Sequence, residues 1–268
     1  MLLREVEYAR PSSVDEAVRL LGSHDGARAL AGGQTLVSVM KARAAAPDVL
    51  VDLNRLEELR AITVAGDTLE LGAMATYTQL MASSEVEVTR PVVAEVCAMI
   101  ADVQVRNRGT IGGNVCSNDP TNHLPPLMVA LGAEFVVLGP DGERTIPAAD
   151  FFLGVYMTAA GPGELLTKIL VPAGRRDAFE AITLGADGTC IVSAAASLTD
   201  GGVRVALGCV DAVPILVEPA SADDAAVRES VQAAGLEPPS DVHASGEYRR
   251  HLAEVVAVRA ARKASAKS

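Results

Sequence analysis

Apolar residues between Ser13 and Gly22 recur at helical spacing, and Ser13-Val14-Asp15-Glu16 has the spacing of a capping box, so a helix is predicted from Ser13 to about Gly22. Ala29-Leu30-Ala31 predicts a short strand. Leu36, Val37, Val39 and Met40 return to helical spacing, in a helix that Pro47 is expected to end, and Val49 to Leu53 reads as a strand. Alternation from Ile62 to Ala73 around Ala65-Gly66-Asp67 predicts a hairpin. Thr76 and Gln79 have capping-box spacing, and Pro91 suits a first helical turn with Val92, Val93, Val96 and Ile100 along one face. A short helix is expected over Leu124 to Leu131. A hairpin follows across Gly139-Pro140-Asp141-Gly142, then a strand from Glu164 to Val171 closed by Pro172. Beyond Gly174, Phe179 to Leu184, Ile191 to Leu198 and Val203 to Cys209 predict antiparallel strands, with Asp200-Gly201-Gly202 turning the last pair. Ser221 with Asp224 opens a predicted helix to about Ala234. After Pro238-Pro239, a final helix runs from Tyr248 to about Arg262, with a frayed tail from Lys263 to Ser268.

Two Gly-Gly turns punctuate this pattern, Ala31-Gly32-Gly33-Gln34-Thr35 and Thr110-Ile111-Gly112-Gly113-Asn114. Each is expected where an apolar, β-prone run gives way to helix or loop. Paired glycines permit positive φ and close approach of another molecule, and successive free N–H groups make a concave anion site. Two such turns half a domain apart read either as the jaws of a pyrophosphate grip or as two ordinary tight turns.

Composition narrows the choice. The 268 residues suffice for one large domain or two smaller ones, and a 49% hydrophobic content indicates a globular chain. A net charge of −11 and few aromatics argue against a nucleic-acid surface. No apolar run approaches the ~18 residues of a membrane span, and the N-terminus shows no signal stretch, so a cytoplasmic location is expected. Cys97, Cys116, Cys190 and Cys209 lack zinc or iron–sulfur spacing and read as buried free thiols. Neither glycine turn gives G-x-G-x-x-G, and no Gly-Lys-Ser/Thr is present, which disfavours a nicotinamide-binding domain and excludes a P-loop.

The chain resembles the FAD-binding medium subunit of the molybdenum hydroxylases, the xanthine dehydrogenase and carbon monoxide dehydrogenase relatives. The resemblance rests on Ala31-Gly32-Gly33-Gln34-Thr35-Leu36, Met40-Lys41, Val51-Asp52-Leu53, Leu71-Gly72-Ala73, the ten-residue run Val105-Arg106-Asn107-Arg108-Gly109-Thr110-Ile111-Gly112-Gly113-Asn114, Pro147-Ala148, Phe151-Phe152-Leu153-Gly154 and Tyr248-Arg249-Arg250-His251-Leu252-Ala253. It implies an α+β fold: a two-part FAD-binding domain over residues 1–56 and 57–173, then an antiparallel-sheet-plus-helices domain over 174–268. It implies FAD on this chain, and partners in an iron–sulfur small subunit with two 2Fe-2S clusters and a large subunit with the molybdopterin cofactor, paired into a dimer of heterotrimers. Electrons would run from substrate at molybdenum through the clusters to this flavin. A stand-alone flavin oxidoreductase of related fold and a flavin-free scaffold subunit are the alternatives.

By resemblance, Ala31, Gly32, Gly33, Gln34, Thr35 and Leu36 wrap the FAD pyrophosphate, and Thr110, Ile111, Gly112, Gly113 and Asn114 supply opposing contacts. Donors would come from backbone N–H groups and from the Thr35, Thr110 and Asn114 side chains. Ile100 and Leu166 fall where relatives pack near the flavin; either could equally be plain core. Arg106 and Arg108 face a phosphate or the iron–sulfur partner, or belong to a solvated loop, and Lys41 reads as structural or interfacial. Two departures stand out. His123 replaces an acid expected at the flavin's sugar-alcohol chain: it takes that role, or is a surface histidine with Asp119 supplying the acid. Phe179 to Cys190 lacks the family's Lys near Glu180 or Ala181 and the Arg and aromatic that follow, which is expected to lower the flavin potential.

Overall fold

The computed structural model describes residues 3–185 and 188–267. Met1, Leu2 and Ser268, and Ala186 and Asp187 within the Phe179 to Cys190 stretch, lie outside the described residues.

The first unit comprises β1 (Glu7–Ala9), α1 (Val14–Ser23), β2 (Ala27–Leu30), α2 (Leu36–Lys41) and β3 (Val49–Asp52), with the strands in a parallel sheet ordered β1-β3-β2. Ser13 caps α1 by accepting from Glu16 N at 3.2 Å, while the Glu16 carboxylate reaches back to Ser12 N at 2.7 Å, one residue beyond a standard box. Helix α2 ends well ahead of Pro47: Ala42 caps it, and Arg43 takes a φ of 64°. The helix stops because its chain reverses there, not because proline blocks it.

The second unit contains β4 (Ile62–Ala65), β5 (Thr68–Gly72), α3 (Tyr77–Ala82), α4 (Ser84–Thr89), α5 (Val92–Met99), α6 (Val103–Arg108), α7 (Ile111–Ser117), α8 (Leu124–Leu131), β6 (Glu134–Gly139), β7 (Gly142–Pro147), α9 (Ala148–Phe151), β8 (Phe152–Gly154), β9 (Met157–Thr158) and β10 (Leu165–Pro172). Five of its strands form an antiparallel sheet ordered β4-β5-β10-β6-β7. Helix α8 is buried along its whole length, as its unbroken apolar sequence requires. Two expectations change here. Val103–Arg108 is a short helix capped by Asp102 rather than a loop, and the second glycine pair lies inside the first turn of α7 rather than after a strand.

The third unit holds β11 (Asp177–Leu184), β12 (Thr189–Thr199), β13 (Gly202–Gly208), β14 (Ile215–Val217), α10 (Asp224–Ala233) and α11 (Gly246–Ala266). The four strands form an antiparallel sheet in sequence order. One face packs on α8 through Phe179, Ala195 and Ala206; the other carries α11 through Ala178, Ala194, Ala196, Val205 and Leu207. The cap of α10 is Asp223 rather than Ser221, whose hydroxyl donates to the Asp223 carboxylate. Helix α11 starts earlier and continues to Ala266, so the tail is not frayed there: Ala260, Ala261 and Ala264 extend its buried face, and Lys267 holds Glu95 at 2.8 Å.

One buried ion pair fastens the third unit to the second. Arg90 donates to Asp177 Oδ1 and to Ser197 Oγ, both at 2.8 Å, and to the Pro172 carbonyl at 2.7 Å. Arg90 and Asp177 are each about 1% exposed, so their charges are compensated almost entirely by one another.

Candidate functional site

The two glycine segments meet, although 78 residues separate Gly32 from its counterpart at Thr110 in the chain. A β-carbon on Gly32 would lie 2.1 Å from the Arg108 carbonyl oxygen and 2.9 Å from Gly109 Cα, so only glycine permits this backbone-on-backbone contact. Gly113 faces Ala31 from the other side, its β-carbon position 3.7 Å from Ala31 Cβ. Gly33 is the one glycine of the four with a left-handed φ, 74°. The other three serve close approach: a β-carbon on Gly112 would meet the Ala73 carbonyl oxygen at 2.7 Å.

Each jaw is fixed from behind. Asn54 Nδ2 donates to the Ala31 carbonyl at 3.0 Å, and Asn54 itself is held by Asp52, which also accepts from Tyr8. Burial works against ionising Asp52, but the bonds from Tyr8 and Asn54 outweigh it and hold its carboxyl below the usual range. The second jaw is zipped to the β5–α3 connection: Ile111 N donates to Ala75 O at 3.0 Å, Gly112 N to Ala73 O at 2.9 Å, and Tyr77 N to Gly109 O at 3.1 Å.

The two jaws carry unspent donors. Val37 N is the first α2 amide with a backbone acceptor, Gly33 O at 3.1 Å. Among the described residues, the N–H groups of Gly33, Gln34, Thr35 and Leu36 have no protein acceptor, and the Thr35 hydroxyl caps nothing. Gln34 and Thr35 are exposed, and Gly33 and Leu36 half-buried. Thr110 Oγ1 accepts from Gly113 N at 3.2 Å, which leaves the hydroxyl proton free to donate. Asn114 is buried and its Nδ2 donates to Tyr77 Oη at 3.0 Å; the atom without a partner is Oδ1. Burial raises the Tyr77 phenol well above its usual range and keeps it neutral. The free Asn114 atom is therefore an acceptor, suited to a ligand hydroxyl rather than to a phosphate oxygen.

The remaining predicted residues divide. Leu166 is buried on β10, next to Thr167, whose carbonyl accepts from Ala73 N at 2.9 Å; that sets it behind the second jaw. Ile100 is the half-buried C-cap of α5, and no hydrogen bond among the described residues joins it to either jaw. His123 is not a surface residue: it is 6% exposed, its ring lies 5.1 Å from that of Phe179, and Nδ1 has no partner. Its neighbour Asn122 ties it to the second jaw by donating to Asn114 O at 3.0 Å. Asp119 does not stand free as a replacement acid, because it accepts from Thr121 N at 2.9 Å and Tyr156 Oη at 3.0 Å. Arg106 Nη1 donates to the Ile100 and Ala101 carbonyls at 2.9 and 2.7 Å, which ties its guanidinium to the α5–α6 connection. Lys41 is exposed at the end of α2. Glu180 turns toward α11 and pairs with Lys263, while Ala181 packs on the α8 side. Asn54, Tyr77 and Asn122 went unnoticed in the sequence, where only contact across the fold gives them a role.

Unspent amides, an unspent hydroxyl and a buried acceptor on two adjoining segments suit an elongated anionic ligand with hydroxyls. The model of the FAD-binding domain in molybdopterin dehydrogenase matches residues 4–174, which contain both jaws. The chain belongs to this family. As a member, it is 38% identical to the carbon monoxide dehydrogenase medium chain of Hydrogenophaga pseudoflava, over 97% of each chain. It is 28% identical to the xanthine dehydrogenase FAD-binding subunit of Escherichia coli O157:H7, over 93% of this chain and 92% of that one. Among solved structures, it superposes on reconstituted CO dehydrogenase from Oligotropha carboxidovorans with a TM-score of 0.93 at 34% identity, each chain fully covered. Quinoline 2-oxidoreductase from Pseudomonas putida 86 gives 0.91 at 31%, over 99% of this chain and 98% of that one. The α+β architecture expected from sequence is thus that of the family, and among the described residues no helix is long and apolar enough to cross a membrane.

Proposed function

We propose that this chain is the FAD-carrying electron-transfer subunit of a molybdenum hydroxylase complex. It would take electrons from an iron–sulfur small subunit, downstream of a molybdopterin large subunit, and deliver them to an external acceptor. The observation that carries the reading is the apposition of the two glycine jaws around a row of unspent amides. When bound, the flavin supplies the one- and two-electron redox chemistry of the relay.

The protein's own residues would act by binding and orientation. The amides of Gly33 to Leu36 meet the pyrophosphate charge, and Thr35 and Thr110 each add a hydroxyl donor. Asn114 Oδ1 and His123 Nδ1 would take hydroxyls of the sugar-alcohol chain, which relieves two buried polar atoms that otherwise lack partners. Leu166 and Ile100 would present apolar surface to the ring system. Cutting the chain at 56/57 and 173/174 gives two cofactor-holding parts and a third that braces the second of them through Arg90 and Asp177. A cytoplasmic location and a dimer of heterotrimers complete the proposal.

The test is a visible spectrum of the purified protein, followed by identification of flavin released on denaturation. One FAD per chain supports the reading. A colourless chain that takes up no added FAD overturns it in favour of a scaffold subunit.

A further inference from the structure

The sheet of the third unit contains two irregularities that converge. The β12–β13 ladder pairs Ser193 with Gly208, and both face α8: a β-carbon on Gly208 would meet Ser193 Oγ at 2.5 Å and Pro126 Cγ at 2.9 Å. Cys190 is three residues from Ser193, so strand alternation assigns it to the opposite, α11 face. The register slips first. Ile182 pairs with Val192 but Thr183 pairs with Cys190, which leaves Ile191 as the extra residue of a bulge. Ile191 and Val192 both pack in the α11 core, and the bulge returns Cys190 to the α8 side. Cys209 follows Gly208 and by alternation also belongs to the α11 face. It adopts a φ of 62° instead, rare for a residue with a side chain, and its thiol donates to the Pro120 carbonyl at 3.0 Å.

The two departures place the thiols side by side. Cys190 and Cys209 are neighbours, and His123 and Ser193 adjoin Cys190. Both thiols are free and buried, 2% and 6% exposed. His123 Nδ1 and Ser193 Oγ have no well-aligned partner, so the pair sits among unspent polar atoms. Among the described residues no group of three or more His, Cys, Asp or Glu side chains is arranged to hold a metal ion, which leaves thiol chemistry. A crevice lined by Asn118, Asp119, Pro120, Pro126 and Gly208 leads to Cys209.

We propose that Cys190 and Cys209 are a redox-active dithiol that closes to a disulfide on reaction with hydrogen peroxide and reopens with a thiol reductant. Cys190 is the attacking sulfur: Cys209 and His123 stand beside it, and both favour its thiolate. Cys209 is the resolving sulfur, kept protonated by the neighbouring Cys190 and by burial, with its proton on the Pro120 carbonyl. In the first step the Cys190 sulfur takes one peroxide oxygen as hydroxyl, the O–O bond breaks, and the other oxygen leaves as water. In the second, Cys209 displaces that hydroxyl as water and the S–S bond forms. Two thiols and one peroxide give one disulfide and two waters; the two sulfurs are oxidised and the two peroxide oxygens reduced. This pair does not depend on the flavin reading, since it stands on the thiols alone.

The complex as purified is treated with peroxide, quenched, denatured and alkylated, and its peptides are mapped by mass spectrometry. The expected result is one cross-linked peptide pair joining Cys190 to Cys209, reversed by dithiothreitol. Cys97 and Cys116, whose thiols burial pushes up to about 12, remain fully alkylated as internal controls. In Cys209→Ser, peroxide leaves a sulfenic acid on Cys190 that dimedone captures. Unchanged alkylation of all four thiols overturns the proposal. So does equal oxidation of Cys97 or Cys116, or loss of Cys190 to sulfinic acid without a link. The wild-type map decides even if the variant does not fold.

Discussion

Gly32→Ala puts one methyl group at the contact on which the proposed grip depends. The new carbon would lie 2.1 Å from Arg108 O and 2.8 Å from Arg108 C, both backbone atoms, so no side chain can swing away. Ordinary contact requires the jaws to part by about 1 Å, since overpacked cores relieve such overlaps by backbone shifts costing ~1–3 kcal/mol. An opening of that size breaks at least one amide contact to the ligand's charged oxygens, worth about 1.5–3 kcal/mol. FAD affinity should therefore fall about 10- to 100-fold, because 1.4 kcal/mol is tenfold. The assay is fluorescence titration of flavin-stripped protein, with a thermal melt beside it. Gly22→Ala is the control. It lies within α1, where its β-carbon would meet only Gly163 Cα at 3.8 Å, so affinity should hold and the helix gain up to about 1 kcal/mol. A Gly32→Ala protein that binds FAD within about twofold of wild type would refute the argument.

Three further outcomes follow from the packing. Arg90→Met strands the buried Asp177 carboxylate and should cost about 3–5 kcal/mol in urea unfolding, whereas adding Asp177→Leu should recover much of it. Asn54→Ala removes the anchor on the Ala31 carbonyl; stability should fall by about 0.5–1.5 kcal/mol, with FAD binding weakened in the same variant. Asp241 accepts from His243 N, Ala244 N and Arg249, which hold its carboxyl down at about 2. A depressed folded pKa means its contribution is present above pH 3.8 and is lost as the pH falls toward 2. Asp241→Asn should flatten the stability-against-pH curve in that window; an unchanged curve counts against the assignment.

Local signals in the sequence were read well where the physics is local. The Ser13 and Thr76 caps, the Ala65-Gly66-Asp67 hairpin and the apolar run of α8 each follow from residues a few positions apart. The glycine jaws were legible as motifs, but not the reason for each glycine. Only Gly33 needs its φ; Gly32 and Gly112 are demanded by backbone from distant segments, which no local pattern encodes. Residues that act across the fold were illegible for the same cause. Asn54 supports Ala31 across 23 positions, and Arg90 meets Asp177 across 87. Strand alternation even misplaces Cys190 and Cys209, because a bulge and a left-handed residue break the two-residue period on which it relies.

Amide hydrogen exchange with and without FAD tests the central claim most directly. The account predicts that FAD protects the amides of Gly33 to Leu36 together with the Thr110 to Asn114 segment, both jaws at once, with little change in the groove between α1 and β10. Protection of one jaw alone, or of residues such as Asp15, Glu70 and Lys168 in that groove, would contradict it.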